Sequence, residues 1–156
     1  MTAHVLREGG LHPGHYVGAE IPILGMNAHW DSRGEYFVAE GDESDGTITL
    51  FRSEHTLILN IEEEHLDFYA DLDAIEKVFA QLITQTAGIV FYNLDDKNAA
   101  RVCRSLPRGI SYGFADDADY RHFLIGITSG ISLDFCNGAP LGASGRKHRR
   151  NRDHTN

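Results

Sequence analysis

The sequence predicts an α/β protein whose core is a mostly parallel, doubly wound sheet flanked by helices, with a C-terminal hairpin and an unstructured tail. Short apolar segments typical of strands alternate with segments of helical periodicity, in the order strand, helix, strand, helix, strand. The chain has 156 residues, of which 42% are hydrophobic, enough for one compact core. No apolar run approaches the roughly 20 residues of a membrane span.

The first third of the chain predicts one helix and several short strands. Residues 1–8 indicate a helix that ends at the Gly9-Gly10 pair, because glycine readily terminates helices. Strand candidates follow at 15–19 and 35–39, with an irregular loop between them. A third candidate, 56–61, is a nearly continuous apolar run, which favours a strand covered on both faces.

The middle of the chain predicts a long amphipathic helix followed by a strand. Asp71 is placed to cap the helix N-terminus, and Asp73 lies favourably in its first turn. A strand is expected at 89–93, after Gly88. The helix is indicated by apolar residues at helical spacing, namely Leu72, Ile75, Val78, Phe79, Leu82 and Ile83.

A shorter helix and a further strand complete the predicted parallel sheet. Asp95 or Asp96 caps this helix, which should continue through Leu106 until Pro107 closes it. The last strand of the sheet is expected at 110–114.

The C-terminal part predicts a β-hairpin and a tail. Its two strands are expected at 130–135 and 139–141, because Asn137-Gly138 is a strong hairpin-turn signal. We therefore divide the chain into a core region at 1–121, a hairpin region at 122–142 and a basic disordered tail at 143–156.

The charge distribution argues against nucleic acid and anionic membranes as partners of the main body. The formal net charge is −9, and residues 31–76 carry 14 acidic but only two basic side chains. The tail at 146–156 carries five basic residues and one acid, but it lacks the interleaved aromatic residues typical of nucleic-acid binding.

The two cysteines and the N-terminus indicate the cellular compartment. Cys103 and Cys136 form no CxxC pair, which argues against a disulfide scaffold or a zinc knuckle. The first ten residues lack the apolar core of a signal peptide. We therefore expect a cytoplasmic protein.

Two acidic clusters follow two neighbouring strand candidates and suggest a metal site. Residues 40–45 follow one strand, and residues 62–67, with His65, follow the next. If the strands are neighbours in a parallel sheet, both clusters lie at its carboxyl edge, where a divalent cation would relieve the repulsion between carboxylates. Histidine suits Mn²⁺ better than Mg²⁺. The alternative for each cluster is a solvated turn.

A third polar group, Asn93-Leu94-Asp95-Asp96, follows the next strand on the same predicted edge. It is either a helix cap alone or a cap that also contacts a ligand. No GxxxxGK[ST] phosphate loop, GxGxxG fingerprint or GxSxG nucleophile elbow occurs in the sequence.

Three sequence blocks resemble, in order and spacing, the central domain of the Mur ligases. They are VAEGDESDGT (38–47), LNIEEEHLDFYADLDAI (59–75) and VFYNLDD (90–96), and looser similarity covers SYGFADDADY (111–120) and FCNGAPLG (135–142). Within that family, the DESDGT form most resembles the members that join L-alanine to UDP-N-acetylmuramate in peptidoglycan synthesis.

The resemblance implies an activity and a set of site residues. These ligases use ATP and Mg²⁺ to convert a carboxylate into an acyl phosphate, which the amine of an amino acid then attacks. Glu40 and His65 match the family residues that help to hold the magnesium, and they are the expected catalytic and metal-binding positions. Glu43 and Asp45 are expected to tune that site through hydrogen bonds. Asn93 and Asp95 are the expected cofactor-binding residues.

The chain also departs from the family pattern. A glycine-rich phosphate loop of the GTHGKTTT kind precedes the first helix in the family and does not occur here. We therefore expect a fragment that is inactive by itself and binds ATP poorly, if at all. A missing first strand would leave a sheet edge unpaired, which favours self-association.

Two other interpretations remain open from the sequence. One is a metal-binding or interaction module that uses the acidic edge without ATP chemistry. The other is a fragment of a different Mur ligase, such as the member that recycles cell-wall tripeptide.

Overall fold

The computed structural model describes the backbone of residues 1–127 and 130–137, and the side chains of residues 1–122. The chain divides into two compact units, Met1–Ile48 and Thr49–Asn156. No helix in this described part is long and apolar enough to cross a membrane.

The first unit contains one helix and a three-stranded sheet. Helix α1 spans Thr2–Glu8, and the N–H of Gly9 donates to the carbonyl of Val5, so the predicted helix and its stop are confirmed. The sheet has the order β2-β1-β3, with β1 antiparallel to β2 and parallel to β3. Its strands are β1 (Gly14–Tyr16), β2 (Ala28–His29) and β3 (Phe37–Ala39).

The second unit alternates strands and helices as the sequence predicts. A 3₁₀ turn at Thr47–Leu50 leads into it. Its elements are β4 (Thr56–Ile58), α2 (Leu72–Gln85), β5 (Val90–Asn93), α3 (Lys97–Cys103), β6 (Gly109–Gly113), β7 (Tyr120–Ile127) and β8 (Gly130–Asn137).

These strands form one five-stranded sheet in sequence order, β4-β5-β6-β7-β8. The first four strands are parallel, and only the β7–β8 pair is antiparallel. Helices α2 and α3 provide the crossovers from β4 to β5 and from β5 to β6. The predicted fold class, a mostly parallel sheet flanked by helices, is confirmed.

The core of the second unit lies between the two helices and one face of the sheet. Helix α3 packs against β5, and Arg101 of α3 donates through Nε to Glu76 of α2 at 3.0 Å. A buried hydroxyl pair, Thr56 and Thr86, is satisfied at 2.6 Å. The apolar core residues are Ile58, Ile61, Ile75, Phe79, Ile83, Val90, Tyr92, Ala99 and Cys103. Burial raises the pKa of the Cys103 thiol to about 12, so that cysteine is inert at neutral pH.

Two predictions about β4 are wrong. The strand ends at Ile58 rather than at Ile61. It is also covered on one face only. Leu57 is 51% exposed and Leu59 is 60% exposed, whereas Ile58 is buried. The apolar run therefore packs on one face only. The run extends past the end of the strand because Ile61, beyond the strand, is also buried, and not because a second layer covers the strand.

The prediction that the strand before Glu40 and the strand before His65 are neighbours is also wrong. Strand β3 pairs with β1 in the sheet of the first unit, whereas β4 pairs with β5 in the sheet of the second. Strands of three residues carry too little pattern to specify a partner, so their order along the chain was a poor guide to their pairing.

The predicted end of α3 needs correction, and part of the predicted C-terminal hairpin lies outside the described residues. Helix α3 ends at Cys103 rather than Leu106, because the chain tightens there and Leu106 N–H donates to the Cys103 carbonyl. Strand β8 includes the predicted strand at 130–135 and pairs with β7, which was not predicted, and the predicted turn at Asn137-Gly138 extends beyond the described residues. The predicted strand at 139–141 and the tail at 143–156 lie outside the described residues.

The cap of α2 gives a direct test of the helix assignment. The Asp71 carboxylate accepts from Ala74 N–H at 2.9 Å, whereas Asp73 lies in the first turn without that bond. We expect Asp71→Ala to lower the free energy of unfolding by about 1 kcal/mol. The matched Asp73→Ala variant should lose only about 0.5 kcal/mol. Urea unfolding followed by circular dichroism measures both, and equal losses would contradict the capping assignment.

Candidate functional site

Glu40 follows β3 at its carboxyl end and is held by the loop after β1. Its N–H donates to the Tyr16 carbonyl, which continues the β1–β3 pairing by one residue. Its Oε2 accepts from the backbone N–H of Gly18 at 2.6 Å. The side chain is exposed. One carboxylate oxygen is thus oriented by the protein, in a side chain that remains exposed to solvent.

The acidic residues after Glu40 mostly organise their own turn. Asp42 accepts from Ser44 N–H at 2.9 Å, and Asp45 accepts from Thr47 N–H at 3.0 Å. The hydrogen bonds from the Thr47 side chain and backbone lower the pKa of Asp45, which therefore stays ionised. Glu43 contributes its carbonyl, which accepts from Gly46 N–H. These contacts are those of a structured turn, and a tuning role for Glu43 and Asp45 stays a prediction.

The segment before His65 is anchored to the first turn of α3. The Ile61 N–H donates to the Asp96 carboxylate at 3.3 Å, and the Ile61 carbonyl accepts from Asn98 Nδ2 at 2.6 Å. Nearby, Asn60 Nδ2 donates to Glu62 Oε1 at 3.0 Å. Both polar groups of the Ile61 residue are therefore satisfied by side chains of a single helix.

His65 turns the chain sharply and has a strained backbone. Its φ is +54°, in the left-handed region that non-glycine residues avoid. Its carbonyl accepts from the N–H groups of Phe68 and Tyr69, both at 2.9 Å. The imidazole is about one third exposed, and its Nε2 lies 4.0 Å from Glu64 Oε2. A ring nitrogen and a carboxylate oxygen thus lie together on this turn, and both are ligand types that accept a divalent cation.

Asn93 and Asp95 have structural partners after β5. Asn93 Oδ1 accepts from Asp95 N–H at 3.0 Å. The Asp95 carboxylate accepts from Phe114 N–H at 2.6 Å and from Ala115 N–H at 2.9 Å. Gly113, with φ +156°, is required there, because an added Cβ would lie 2.7 Å from Asp95 Oδ2. These bonds join the loops after β5 and β6, and cofactor binding by the two residues stays a prediction.

The parallel sheet of the second unit brings the loops after β4, β5 and β6 to one edge. The bond between Asp96 and Ile61 connects the first two loops, and the Asp95 bonds connect the second and third. This edge is where parallel α/β sheets bind ligands. Glu40 belongs to the other unit, so its sharing of a cation with His65 stays a prediction.

Sequence reasoning missed two residues that position the predicted site. Gly18 supplies an N–H to Glu40, and no sequence pattern indicates a backbone donor of this kind. Asn98 is buried at 7% exposure inside a helix that also contains two alanines. A polar residue of low helix propensity next to Ala99 and Ala100 was the available signal.

A comparison with protein families identifies the chain. The family model described as Mur ligase middle domain matches residues 19–142. The chain belongs to the Mur ligase family. The match includes Glu40, His65, Asn93 and Asp95, so all of the predicted site positions lie inside the Mur ligase middle domain.

The curated relatives are full-length Mur ligases. The protein named UDP-N-acetylmuramate–L-alanine ligase from Salinispora arenicola is 38% identical over 127 residues, which cover 78% of this chain and 25% of the relative. The protein of the same name from Geobacter sp. is 36% identical over 138 residues, covering 86% of this chain and 30% of the relative. The chain thus spans about a quarter to a third of these relatives.

Solved structures support the fold. The UDP-N-acetylmuramate:L-alanyl-gamma-D-glutamyl-meso-diaminopimelate ligase from Neisseria meningitides aligns with a TM-score of 0.74 and 22% identity, over 87% of this chain and 47% of that one. MurF from Acinetobacter baumannii aligns with a TM-score of 0.55 and 17% identity, over 88% and 35%. At these identities the similarity establishes the shared fold alone.

The strained backbone of His65 can be tested by stability. Replacement by glycine should leave the free energy of unfolding unchanged or higher, because glycine adopts positive φ without steric cost. Replacement by valine should lower it by about 1–2 kcal/mol, because a β-branched residue fits that region worst. Chemical unfolding of both variants provides the measurement. A valine variant as stable as the glycine variant would show that the turn is not strained.

Proposed function

We propose that this chain is the middle-domain part of a ligase that uses ATP to join L-alanine to UDP-N-acetylmuramate. The observation that carries the proposal is the set of relatives of that name, which are 34–39% identical over most of this chain. The blocks at 38–47 and 59–75 contain the residue types that such chemistry needs, namely carboxylates and a histidine after strands.

The proposed reaction has two steps. The substrate carboxylate attacks the γ-phosphorus of ATP, forming an acyl phosphate and releasing ADP. The amine nitrogen of alanine then attacks the acyl carbon, an amide bond forms, and inorganic phosphate leaves. The carbonyl carbon is activated by the phosphate leaving group, so the protein needs to position reactants and neutralise charge rather than provide a nucleophile.

Glu40 and His65 are the residues that we propose to hold Mg²⁺ in this reaction. The cation supplies neutralisation of the phosphate charge. The donor set fits a divalent cation: Glu40 is an exposed carboxylate with one oxygen fixed by Gly18, and His65 presents a partly exposed imidazole beside Glu64. Because one donor is a nitrogen, the set should bind Mn²⁺ at least as well as Mg²⁺.

Asn93, Asp95, Glu43 and Asp45 have supporting places in the proposal. Asn93 and Asp95 shape the loop after β5, on the sheet edge where we propose that the nucleotide binds. Glu43 and Asp45 belong to the turn after Glu40, and they would raise the negative potential around the cation.

The sequence comparisons favour alanine, rather than a tripeptide, as the substrate that supplies the amine. The relatives at 34–39% identity carry the alanine-ligase name, whereas the structure named for a tripeptide substrate shares 22% identity. Shared fold at the lower identity carries no information about the substrate.

The proposed metal site can be tested by a double-mutant cycle on the whole chain. Binding of Mn²⁺ is measured from the loss of the electron paramagnetic resonance signal of the free ion. We expect Glu40→Gln and His65→Ala each to weaken binding about tenfold or more, because each removes one ligand. If both residues bind the same cation, the double variant should be little worse than either single variant.

The control for this experiment is Glu20→Gln, an exposed glutamate whose loss changes the net charge equally. It should leave the Mn²⁺ affinity within about twofold. Binding that survives both site substitutions would contradict the proposed site, and would favour the interpretation of a metal-binding module with ligands elsewhere. Strictly additive losses would contradict a shared cation.

We also propose that the chain self-associates through the edge of β4. Among the described residues, β4 has a hydrogen-bonded neighbour on one side only. The Thr56 N–H donates to the Ile89 carbonyl, on the side of β5. Successive residues of a parallel strand direct their backbone groups to opposite sides, so the N–H and carbonyl of Leu57 point away from β5. The half-exposed Leu57 side chain adds apolar surface there. Such an edge favours pairing with a second strand.

Sedimentation velocity tests this association. We expect the wild-type chain to form dimers or larger species at concentrations where Leu57→Pro is monomeric, because proline removes the outward N–H. The control is Leu66→Pro, an exposed leucine outside the strands. A wild-type chain that remains monomeric at about 100 μM, a concentration typical of strand-edge association, would contradict the proposal.

A further inference from the structure

The first turn of α3 and its cap hold Ile61, which begins the segment that leads to His65. Asn98 Nδ2 donates to the Ile61 carbonyl at 2.6 Å, and the Asp96 carboxylate accepts from the Ile61 N–H. Ile61 is 1% exposed and Asn98 is 7% exposed, so these bonds are shielded from water. In a shielded environment, loss of a partner leaves a buried polar group unsatisfied, which makes the arrangement rigid.

The two anchors of the segment lie close together in sequence. Ile61 fixes its beginning, and His65 fixes its end through bonds from Phe68 and Tyr69 to its carbonyl. Only Glu62, Glu63 and Glu64 lie between. All three are exposed and none of them is packed in the core. The two anchors therefore fix the backbone of the short segment at both of its ends.

Asn98 has no evident value for the helix that contains it. Asparagine is less favourable than alanine in a helix interior. Asp96 already caps α3 by accepting from Ala99 N–H at 2.7 Å. The strongest bond of the Asn98 amide is to Ile61, 37 residues away in sequence. Within its own helix, the Asn98 amide oxygen accepts only a long bond of 3.5 Å from Arg101, so the main contribution of the side chain is its bond to Ile61.

We propose that Asn98 is a positioning residue, which fixes Ile61 and thereby sets the backbone turn and the imidazole orientation of His65 for cation binding. The cation part of this proposal rests on the proposed function of His65. The positioning part rests on the bonds described here. A cation with strict geometric demands, such as Mg²⁺, makes a displaced ligand costly.

The test compares Asn98→Ala with Thr86→Val in the full chain by NMR. Thr86 is the matched control, because it also loses a buried hydrogen bond, to Thr56, but it lies at the C-terminus of α2. Two signals are followed. The φ-sensitive coupling between the amide and α protons of His65 reports the turn, and broadening of the His65 imidazole resonance by Mn²⁺ reports cation binding.

We expect Asn98→Ala to change the His65 coupling and to raise the Mn²⁺ concentration for half-maximal broadening about tenfold. Thr86→Val should destabilise the chain but leave both signals as in the wild type. An Asn98→Ala variant with unchanged coupling and unchanged Mn²⁺ response would overturn the proposal.

The two signals also separate this proposal from the proposed function. If Mn²⁺ fails to broaden the His65 resonance in the wild type, the metal site is wrong, and the coupling alone decides whether Asn98 positions the turn. If Thr86→Val changes the coupling as much as Asn98→Ala, general loosening explains the effect and the positioning role is refuted.

Discussion

The parallel pairing of β5 with both of its neighbours is the constraint on which the second unit depends. Val90 faces Thr56 on one side and Gly109 on the other, and the same register continues through Tyr92. This register places alternate residues of three strands on the face covered by α2 and α3. It also brings the loops after all three strands to one edge, because parallel strands end on the same side. The position of the segment that contains His65 therefore depends more on the sheet register than on the sequence of the segment itself.

Several carboxylates at this edge and in the turn after Glu40 accept hydrogen bonds from backbone N–H groups of their own protein. Asp42 and Asp45 bind the turn in which they lie, Asp96 caps α3, and Asp95 joins two loops. These bonds give the carboxylates structural roles in a turn, a helix cap and a contact between loops. An acidic cluster in the sequence is therefore a mixture of residues that build turns and residues with free oxygens. Only the hydrogen bonds of the fold distinguish the two groups.

The sequence predicted the elements of the second unit well, because these elements have strong local signals. Asp71 is a helix cap followed by a full amphipathic helix, and the structure has both. The sequence could not predict which strand pairs with β3, because a three-residue strand has no register signal of its own. Strand β7 and its antiparallel pairing with β8 were not predicted, whereas the predicted turn at Asn137-Gly138 extends beyond the described residues. Bonds such as those of Asn98 to Ile61 and of Gly18 to Glu40 link residues that are distant in sequence, so local pattern could not indicate them.

His65 shares its positive backbone φ with glycines rather than with other side-chain-bearing residues. Within the described part of the chain, the other residues of positive φ are Gly10, Gly25, Gly46 and Gly113. Of the five residues with positive φ in that part of the chain, four are therefore glycines and the fifth is His65. A histidine at φ +54° costs about 1 kcal/mol or more relative to a relaxed backbone, and glycine would remove that cost. Folding stability alone does not explain a histidine here, and cation binding by the imidazole is the reason that we propose. The turn that disfavours histidine is also the one that presents its imidazole beside Glu64 at the carboxyl edge of the sheet.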